Sequence, residues 1–281
     1  MFLFAHINYV TCGIMLRLIK EDSFLFTNTP RKHFGQHFLQ QSAVISQIIQ
    51  SIGLKTDDTV VEIGPGRGAL TLPLLRMLKQ LIAIEVDRDL FADWKQLNHA
   101  NLMLLNADAL KVDYHQWGEG IRLIGNLPYN ISSPFLIHLL NYLSSIQDMH
   151  FMLQKEVVDR LSGEPGTKAY GRLSVMMQVF CEVQPLFEVA PDAFYPPPRV
   201  QSAVVRLVPR KAPNANRPQL EKLLSHAFAM RRKTLGNNLK KWVSVAQMEA
   251  CGIDPGLRPE AVSVEQYIAL SRQPCPQIRQ T

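Results

Sequence analysis

Apolar residues fall into two kinds of segment that alternate along most of this chain. Short apolar runs that predict strands include "TVVEIG", "QLIAIEVD", "NLMLLNAD" and "IRLIGN". Between them lie stretches such as "SAVISQIIQSIGL" and "RDLFADWKQLN", in which apolar positions recur at helical spacing. Strands that alternate with helices predict βαβ units, so we expect an α/β fold with a parallel sheet and helices on both faces.

Seven strands are expected between residues 42 and 208. The last two, "EVQPLFEV" and "SAVVRLVP", are joined by a segment without a helical pattern, so we expect an antiparallel pair at the sheet edge. Ser42 is expected to cap the first helix and Gly53 to end it. Ser133 is the expected cap of the helix in "SPFLIHLLNYL", with Pro134 at its first position.

The ends of the chain differ from this alternating part. The first residues are apolar, but they lack a basic start and contain polar interruptions, so they fit neither a signal peptide nor a membrane span. After the last strand, the linker "VPRKAPNANRPQ" leads to four short helical patterns. The predicted organisation is an N-terminal extension over 1–29, an α/β domain over 30–209 and a small helical domain over 210–281.

Composition and charge limit the classes of protein to consider. With 47% hydrophobic residues in 281, the chain can form a large core and is not of the disordered type. Its four cysteines form no CxxC pair, which indicates a reducing, cytoplasmic compartment and no metal site. The net charge of +6 is concentrated, because residues 210–250 contain nine Lys or Arg and only two Glu. This basic region indicates either a polyanionic partner or a solvated helical face.

A glycine-rich turn, "VVEIGPGRGALT", stands between a predicted strand and a helix and contains Gly64 and Gly66. Such a turn lets a ligand approach the backbone, although GxGxG alone also suits a turn that binds nothing. Glu85 ends the next strand and is placed to accept hydrogen bonds from a ribose diol. Asp108 ends the third strand and could accept from an adenine amino group. All these residues fall at carboxyl ends of strands, where open α/β sheets bind ligands.

The charge beside this turn favours one kind of nucleotide. A dinucleotide places its pyrophosphate on a helix N-terminus, and Glu62, two residues before Gly64, would repel it. S-adenosylmethionine contains an adenosine, an amino group and a sulfonium but no phosphate. The acidic surroundings of the turn therefore favour S-adenosylmethionine as the cofactor.

The stretch "GNLPYNISSPF" follows the fourth strand and suggests the chemistry. The side-chain carbonyl of Asn126 and the main-chain carbonyl of Leu127 could bind both hydrogens of a base amino group and aim its lone pair at a methyl group. Pro128 fixes the backbone and has no N–H to compete. Tyr129 offers a flat face on which an unstacked base can lie. A strand-terminating turn is the alternative interpretation of these four residues.

A second aromatic position occurs in "DAFYPPPRVQS", between the last two strands. Phe194 or Tyr195 could cover the other face of the base. Packing of one aromatic side chain in a proline-rich turn is an equally good interpretation from the residues alone.

Taken together, these motifs resemble the ribosomal RNA adenine N6-dimethyltransferase family, the KsgA/RsmA type. The matching blocks, in the family's order, are "KHFGQHFL", "VEIGPGRGALT", "IAIEVDRDL", "NADAL", "GNLPYNISSPF", "GTKAYGRLSV", "FYPPPRVQSAVVRL" and "FAMRRKTLGNNLK". The resemblance implies a seven-stranded Rossmann-like methyltransferase sheet with a small C-terminal helical domain. It implies cofactor contacts at His37, Leu39, Gly64, Gly66, Glu85, Asp108 and Asn126.

The resemblance also implies roles around the base, and it contains one departure. Asn126 and Leu127 would hold the amino group, while Tyr129 and Phe194 would flank the ring, with Phe194 preferred over its neighbour. The family usually has Asn in "GQNFL", whereas this chain has His37 in "GQHFL". Imidazole can still donate or accept a hydrogen bond, but the geometry of that contact is altered.

The implied substrate is a pair of adjacent adenines in a hairpin near the 3′ end of 16S rRNA, within a partly assembled small subunit. We expect a cytoplasmic monomer without metal or membrane attachment. Two alternatives are a related large-subunit rRNA methyltransferase of the antibiotic-resistance type and an assembly factor whose binding matters more than its catalysis. The residues implied to hold rRNA phosphates are Arg231, Arg232, Lys233, Lys240 and Lys241.

Overall fold

The computed structural model describes residues 30–31, 35–211, 215–230 and 232–274. The predicted extension over 1–29 lies outside these residues. The strands are β1 (Phe38–Leu39), β2 (Val60–Ile63), β3 (Leu81–Glu85), β4 (Leu102–Asn106), β5 (Ile121–Asn126), β6 (Ile146–Gln154), β7 (Cys181–Val189), β8 (Phe194–Tyr195) and β9 (Ser202–Pro209). The α-helices are α1 (Ser42–Ile52), α2 (Thr71–Met77), α3 (Arg88–Leu97), α4 (Ser132–Leu139), α5 (Lys155–Leu161), α6 (Arg172–Phe180), α7 (Arg217–Ala227), α8 (Leu235–Leu239), α9 (Val245–Ala250) and α10 (Val264–Ser271).

Seven strands form one sheet in the order β4-β3-β2-β5-β6-β9-β7, which confirms the predicted seven-stranded α/β fold. Strand pairing from β4 through β6 is parallel. The last two of these strands along the chain, β7 and β9, are neighbours at one edge, as predicted. The short strands β1 and β8 form a separate antiparallel pair that the apolar pattern did not predict.

The site is positioned by the centre of the sheet, where β2 and β5 lie side by side. From β2 the chain continues to β3 on one side, whereas β5 is followed by β6 on the other. Connections that leave two adjacent parallel strands in opposite directions open a crevice at their carboxyl ends. The two strands approach closely there, because a β-carbon on Gly125 would lie 2.7 Å from the carbonyl oxygen of Ile63.

The predicted helix ends are partly correct. Gly53 ends α1 in the left-handed conformation, with φ of +63°, as expected. The serine caps are wrong by one or two residues, because Ser42 is already helical and Ser133 lies inside α4. The first helical bonds are instead accepted by the main-chain carbonyls of Gln41 and Ile131, from the N–H groups four residues on.

Contacts divide the described chain into two compact units. One comprises the described residues up to Lys155 together with Pro185–Arg206, and the other comprises Glu156–Gln184 with the described residues from Leu207 onward. Helices α5 and α6 therefore belong to the same unit as the C-terminal helices. The sequence-based domain bounds, 30–209 and 210–281, stay a prediction. No helix in the described part of the chain combines the length and hydropathy that a membrane span needs.

The second unit is a small helical assembly. Helix α10 packs against both α6 and α7, and α7 also contacts α6 and α8. Two buried tyrosine hydroxyls bond the segment that precedes α10. Tyr170 donates to the carbonyl of Val262 and Tyr267 to that of Pro259, each at 2.9 Å. These bonds satisfy polar groups that would otherwise be buried without partners.

A buried ionic network lies at the amino end of β5. Arg122 is only 4% exposed. Its guanidinium donates twice to Asp148, at 2.8 Å each, and once to Asp58, at 2.8 Å. It also donates to the carbonyl of Ile52 at 2.7 Å, which ties the end of α1 to the sheet. Arg206 adds a further bond to Asp148 at 3.2 Å.

We expect Asp148→Asn to lower the free energy of unfolding by roughly 3 kcal/mol, because it removes the carboxylate that accepts two of the hydrogen bonds from the buried guanidinium of Arg122 and leaves Asp58 as its charged partner. Denaturant unfolding at neutral pH measures the change. Asp57→Asn is the matched control, since it breaks an exposed pair with Lys79 and should have little effect. Equal effects of the two substitutions would contradict a stabilising role for the buried network.

Candidate active site

A pocket of about 290 Å³ opens at the carboxyl ends of the central strands, within the first unit. Its walls come from the residues that follow β2, β3, β4 and β5 and from the strap, as we call residues 35–39. The sequence predicted most of these positions from their places at strand ends. Predicted site residues on the wall are His37, Leu39, Gly64, Gly66, Glu85, Asp108, Asn126, Leu127, Pro128 and Tyr129.

The glycine turn after β2 has the backbone geometry that the sequence predicted. Gly64 and Gly66 have φ of +69° and +53°, which favour glycine. A β-carbon on Gly66 would lie 3.3 Å from the ring of Phe38 in the strap. The indole N–H of Trp94 donates to the carbonyl of Gly66 at 2.8 Å and so fixes the position of the turn.

Glu85 faces the same pocket from the end of β3. Its carboxylate accepts the main-chain N–H of Gly66 at 3.2 Å and that of Asp87 at 2.9 Å. Burial raises the pKa of Glu85 to about 7, against the opposite effect of these two hydrogen bonds. A carboxylate has about four lone-pair positions, so Glu85 keeps acceptor capacity for the hydroxyls of a ribose.

Glu62 is the second buried acid on the wall and is only 1% exposed. Its Oε2 atom has no hydrogen-bond partner among the residues that the structure describes. Burial raises the pKa of Glu62 to about 8, and the nearby charge of Glu85 acts in the same direction. A buried carboxyl oxygen without a partner is costly, and a cationic donor in the pocket would satisfy it.

Asp108 and Leu39 complete the side of the pocket where a nucleoside would bind. Asp108 uses Oδ1 to accept the main-chain N–H of Leu110 at 3.0 Å, which fixes the carboxylate at the wall. Leu39 is buried and pairs with Phe194 in the β1–β8 ladder. Their contacts with a cofactor stay predictions.

Asn126, at the end of β5, lies on the wall of the same pocket. Its Nδ2 donates to the main-chain carbonyl of His37 at 3.0 Å. Leu127 is buried, and its N–H donates to the carbonyl of Met152 at 3.1 Å. The Pro128 carbonyl accepts from Ile131 N–H and from a serine hydroxyl at the start of α4, so the peptide after the strand is fixed.

Tyr129 is held at two points. Its hydroxyl bonds the hydroxyl of buried Ser202 at 2.8 Å, and its ring stacks with the ring of His37 at a centroid distance of 5.6 Å. Burial raises the pKa of Tyr129. The tyrosine is therefore a fixed face on the pocket wall.

Two of the predicted positions, His37 and Phe194, make close contacts within the protein. The His37 ring directs Nδ1 to the carbonyl of Pro196 at 2.7 Å, so this nitrogen is already engaged within the protein. Phe194 is 4% exposed and belongs to the core cluster instead of the pocket wall, whereas Tyr195 is 52% exposed. The role of Phe194 as a second stacking ring stays a prediction.

The predicted phosphate-binding residues lie in the second unit, and Arg231 among them is outside the described residues. Arg232 and Lys233 are exposed between α7 and α8, and Lys240 and Lys241 are exposed after α8. Next to them Trp242 stacks on His226 at 3.9 Å, and the ammonium of Lys222 lies 4.8 Å from the indole centroid.

Sequence analysis missed several residues that shape the pocket. Gln36 lies on its wall and donates to the buried carboxylate of Asp87 at 3.0 Å. Arg31 pairs with the same carboxylate at 3.1 Å and also with Asp89, and its main-chain N–H donates to Gln36 at 2.8 Å, so it helps to hold the strap at the start of α3. The acidic residues in "EVDRDL" indicated that basic or amide partners were needed, but those partners lie more than fifty residues away in the sequence and could not be identified from it.

This sheet with its acidic glycine-turn pocket defines a Rossmann-like methyltransferase. A family model described as ribosomal RNA adenine dimethylase matches residues 27–273. The chain belongs to that family. A Legionella pneumophila protein named ribosomal RNA small subunit methyltransferase A is 53% identical over 250 residues, covering 87% of this chain and 98% of that protein. A Nitrosococcus oceani protein of the same name is 52% identical, with coverage of 86% and 95%.

Two solved structures share the fold. A dimethyladenosine transferase from Plasmodium falciparum aligns with a TM-score of 0.71 and 25% identity, covering 83% of this chain and 96% of its own. The 23S rRNA methyltransferase ErmE aligns with a TM-score of 0.67 and 26% identity, covering 83% and 98%. The fold is therefore shared with one protein named as a dimethyladenosine transferase and one named as a 23S rRNA methyltransferase.

We expect Glu62→Gln to stabilise the ligand-free protein increasingly as pH rises from about 4.5 to 8. Over that window the folded wild type keeps a proton on Glu62 that the unfolded chain has released, so its free energy of unfolding falls with pH. The amide lacks this titration, and the gain should reach on the order of a few kcal/mol. Denaturant unfolding at several pH values measures it, with exposed Glu119→Gln as the control. A stability difference that does not change with pH would contradict the buried, protonated acid.

Proposed function

We propose that this protein is an S-adenosylmethionine-dependent adenine N6-dimethyltransferase acting on small-subunit ribosomal RNA. One observation carries the proposal: Asn126 lies on the wall of the pocket that also contains Glu62, Glu85 and the glycine turn. An acceptor for a base amine thus shares a cavity with acceptors suited to a cationic nucleoside. Family membership and the names of the 52–53% identical relatives support the same assignment.

The residues on the wall fit S-adenosylmethionine better than a phosphate-bearing nucleotide. Glu85 has lone pairs for a ribose diol, and Asp108 can accept from an adenine amino group. The buried oxygen of Glu62 can accept from an ammonium group, whereas a pyrophosphate offers this oxygen no hydrogen-bond donor. When bound, the cofactor supplies a methyl group already activated on a sulfonium.

The protein's contribution to transfer is alignment. An exocyclic amine has its lone pair delocalised into the ring and is a weak nucleophile. Two acceptors, the Oδ1 atom of Asn126 and the carbonyl of Leu127, would hold its hydrogens and aim the lone pair at the methyl group. Tyr129 would support the base by stacking, which contributes about 1–3 kcal/mol. Fixed positions and fixed dipoles of this kind accelerate a reaction without a strong base.

The proposed substrate is the small-subunit RNA within a partly assembled subunit. The most similar relatives named above carry small-subunit names, whereas the similarity to the 23S rRNA enzyme is 26%. We propose that the exposed basic residues around α8 hold RNA phosphates, in a helical domain whose sequence-based bounds are 210–281. Phosphate contacts of this type position the RNA without selecting its sequence.

We expect Asn126→Ala to lower kcat at least ~100-fold, because one of two acceptors for the amine is lost. Cofactor affinity should remain measurable. The assay follows labelled methyl transfer to undermethylated small subunits, with mass mapping of the modified adenines. Asn141→Ala, an exposed amide outside the pocket, is the matched control. Full turnover by Asn126→Ala would remove the assigned role, and methylation of only naked large-subunit RNA would favour the alternative substrate.

We expect the combined alanine variant of Arg232, Lys233, Lys240 and Lys241 to bind RNA more weakly, with a flatter salt dependence. Each lost phosphate contact lowers the slope of log K against log salt by about 0.7–0.9, so the set should lower it by about 3. Binding measured from 50 to 300 mM salt tests this. Cofactor binding to the same variant is the control, and an unchanged slope would contradict the phosphate role.

A further inference from the structure

His37 contacts three other residues at once, of which Asn126 and Tyr129 lie on the pocket wall. Its main-chain carbonyl accepts from the amide nitrogen of Asn126 at 3.0 Å. Its ring nitrogen Nδ1 lies 2.7 Å from the carbonyl oxygen of Pro196, and its ring stacks on Tyr129 with an interplanar angle of 27°. His37 thus connects Asn126 with Tyr129, the two residues proposed to receive the base.

The first contact sets the direction of the Asn126 amide. A primary amide has an acceptor end and a donor end of nearly the same shape, and a flip exchanges them. Because Nδ2 donates to the His37 carbonyl, Oδ1 is turned to the other side of the amide group. A substrate amine needs an acceptor there, since a flipped amide would present N–H groups to N–H groups.

The second contact, between the His37 ring and Pro196, fixes the position of the His37 carbonyl that orients the Asn126 amide. A main-chain carbonyl only accepts, so Nδ1 of His37 carries the hydrogen in its bond to Pro196. His37 is one residue outside the β1–β8 ladder, which begins at the pair of Phe38 and Tyr195. The ring therefore extends the attachment of the strap by one residue, to the point where the carbonyl faces Asn126.

We propose that His37 is a positioning residue for methyl transfer: by its bond to Pro196 it fixes the strap carbonyl that orients the Asn126 amide towards the substrate amine. The inference rests on the proposed function. It assigns the imidazole to the base side of the pocket instead of the cofactor contact that the resemblance implied. It also explains how His and the usual Asn can serve at one position, because the side-chain nitrogen of Asn is the same number of bonds from Cα as Nδ1 of His.

Two substitutions separate the parts of the His37 side chain. His37→Phe keeps a ring to stack on Tyr129 but has no donor for Pro196, whereas His37→Asn keeps a donor and loses the ring. We expect His37→Phe to lower kcat ~10- to 100-fold, as for a misplaced reacting group. Its cofactor Kd should change less than threefold, and His37→Asn should restore most of kcat. His115→Phe, at an exposed position outside the pocket, is the matched control.

A second measurement does not depend on turnover. Nitrogen-edited NMR of the ligand-free protein, with Asn126→Asp to assign the signal, follows exchange of the Asn126 side-chain amide protons with water. We expect this exchange to be about tenfold faster in His37→Phe than in wild type or His37→Asn. Equal exchange in all three proteins, or an equal kcat in wild type and His37→Phe, would overturn the inference.

The outcomes distinguish this inference from the proposed function. A His37→Phe variant that loses cofactor affinity in proportion to kcat would show a cofactor contact and would also overturn the positioning role. Wild-type protein that fails to methylate small subunits would refute the proposed function. In that case the NMR comparison still decides whether His37 orients the Asn126 amide.

Discussion

The close approach of β2 and β5 governs the placement of every group in the pocket. A β-carbon on Gly125 would meet the Ile63 carbonyl at 2.7 Å, so the two strands can lie at this distance only with glycine at that position. Their register pairs Glu62 with Ile124, and two residues further along each strand come Gly64 and Asn126. The pairing of β2 with β5 therefore places the turn that would receive a cofactor beside the amide that would receive a base.

The pocket contains two acids at a cost to stability. Glu62 and Glu85 are both buried, and burial raises the pKa values of both, to about 8 and about 7. They differ in their partners, because Glu85 accepts two main-chain N–H groups while an oxygen of Glu62 has none among the described residues. A site kept polar in this way is preorganised for a cationic ligand, as binding sites often are at some expense of stability.

Local patterns predicted the sheet, most helices and the pocket residues at strand ends, because these follow from the period of apolar positions and from the rule that ligands bind at carboxyl edges. Features that depend on contacts between residues distant in sequence could not be predicted from local patterns. The strap pairs residue 39 with residue 194, and helix α5 begins at Lys155, directly after β6, where the sequence predicted no helix. Phe194 gave an aromatic signal, but only packing shows that it lies in the core. The direction of the His37 ring likewise depends on Pro196, 159 residues away.

The indole that supports the glycine turn has a practical consequence. Trp94 is 1% exposed, bonds the Gly66 carbonyl, and would lie 3.0 Å from a β-carbon on Gly68. It is one of three tryptophans in the chain and bonds directly to Gly66, a residue of the pocket wall. A shift of the turn would change the surroundings of a buried fluorophore, so the chain carries an intrinsic optical reporter for events at its cofactor pocket.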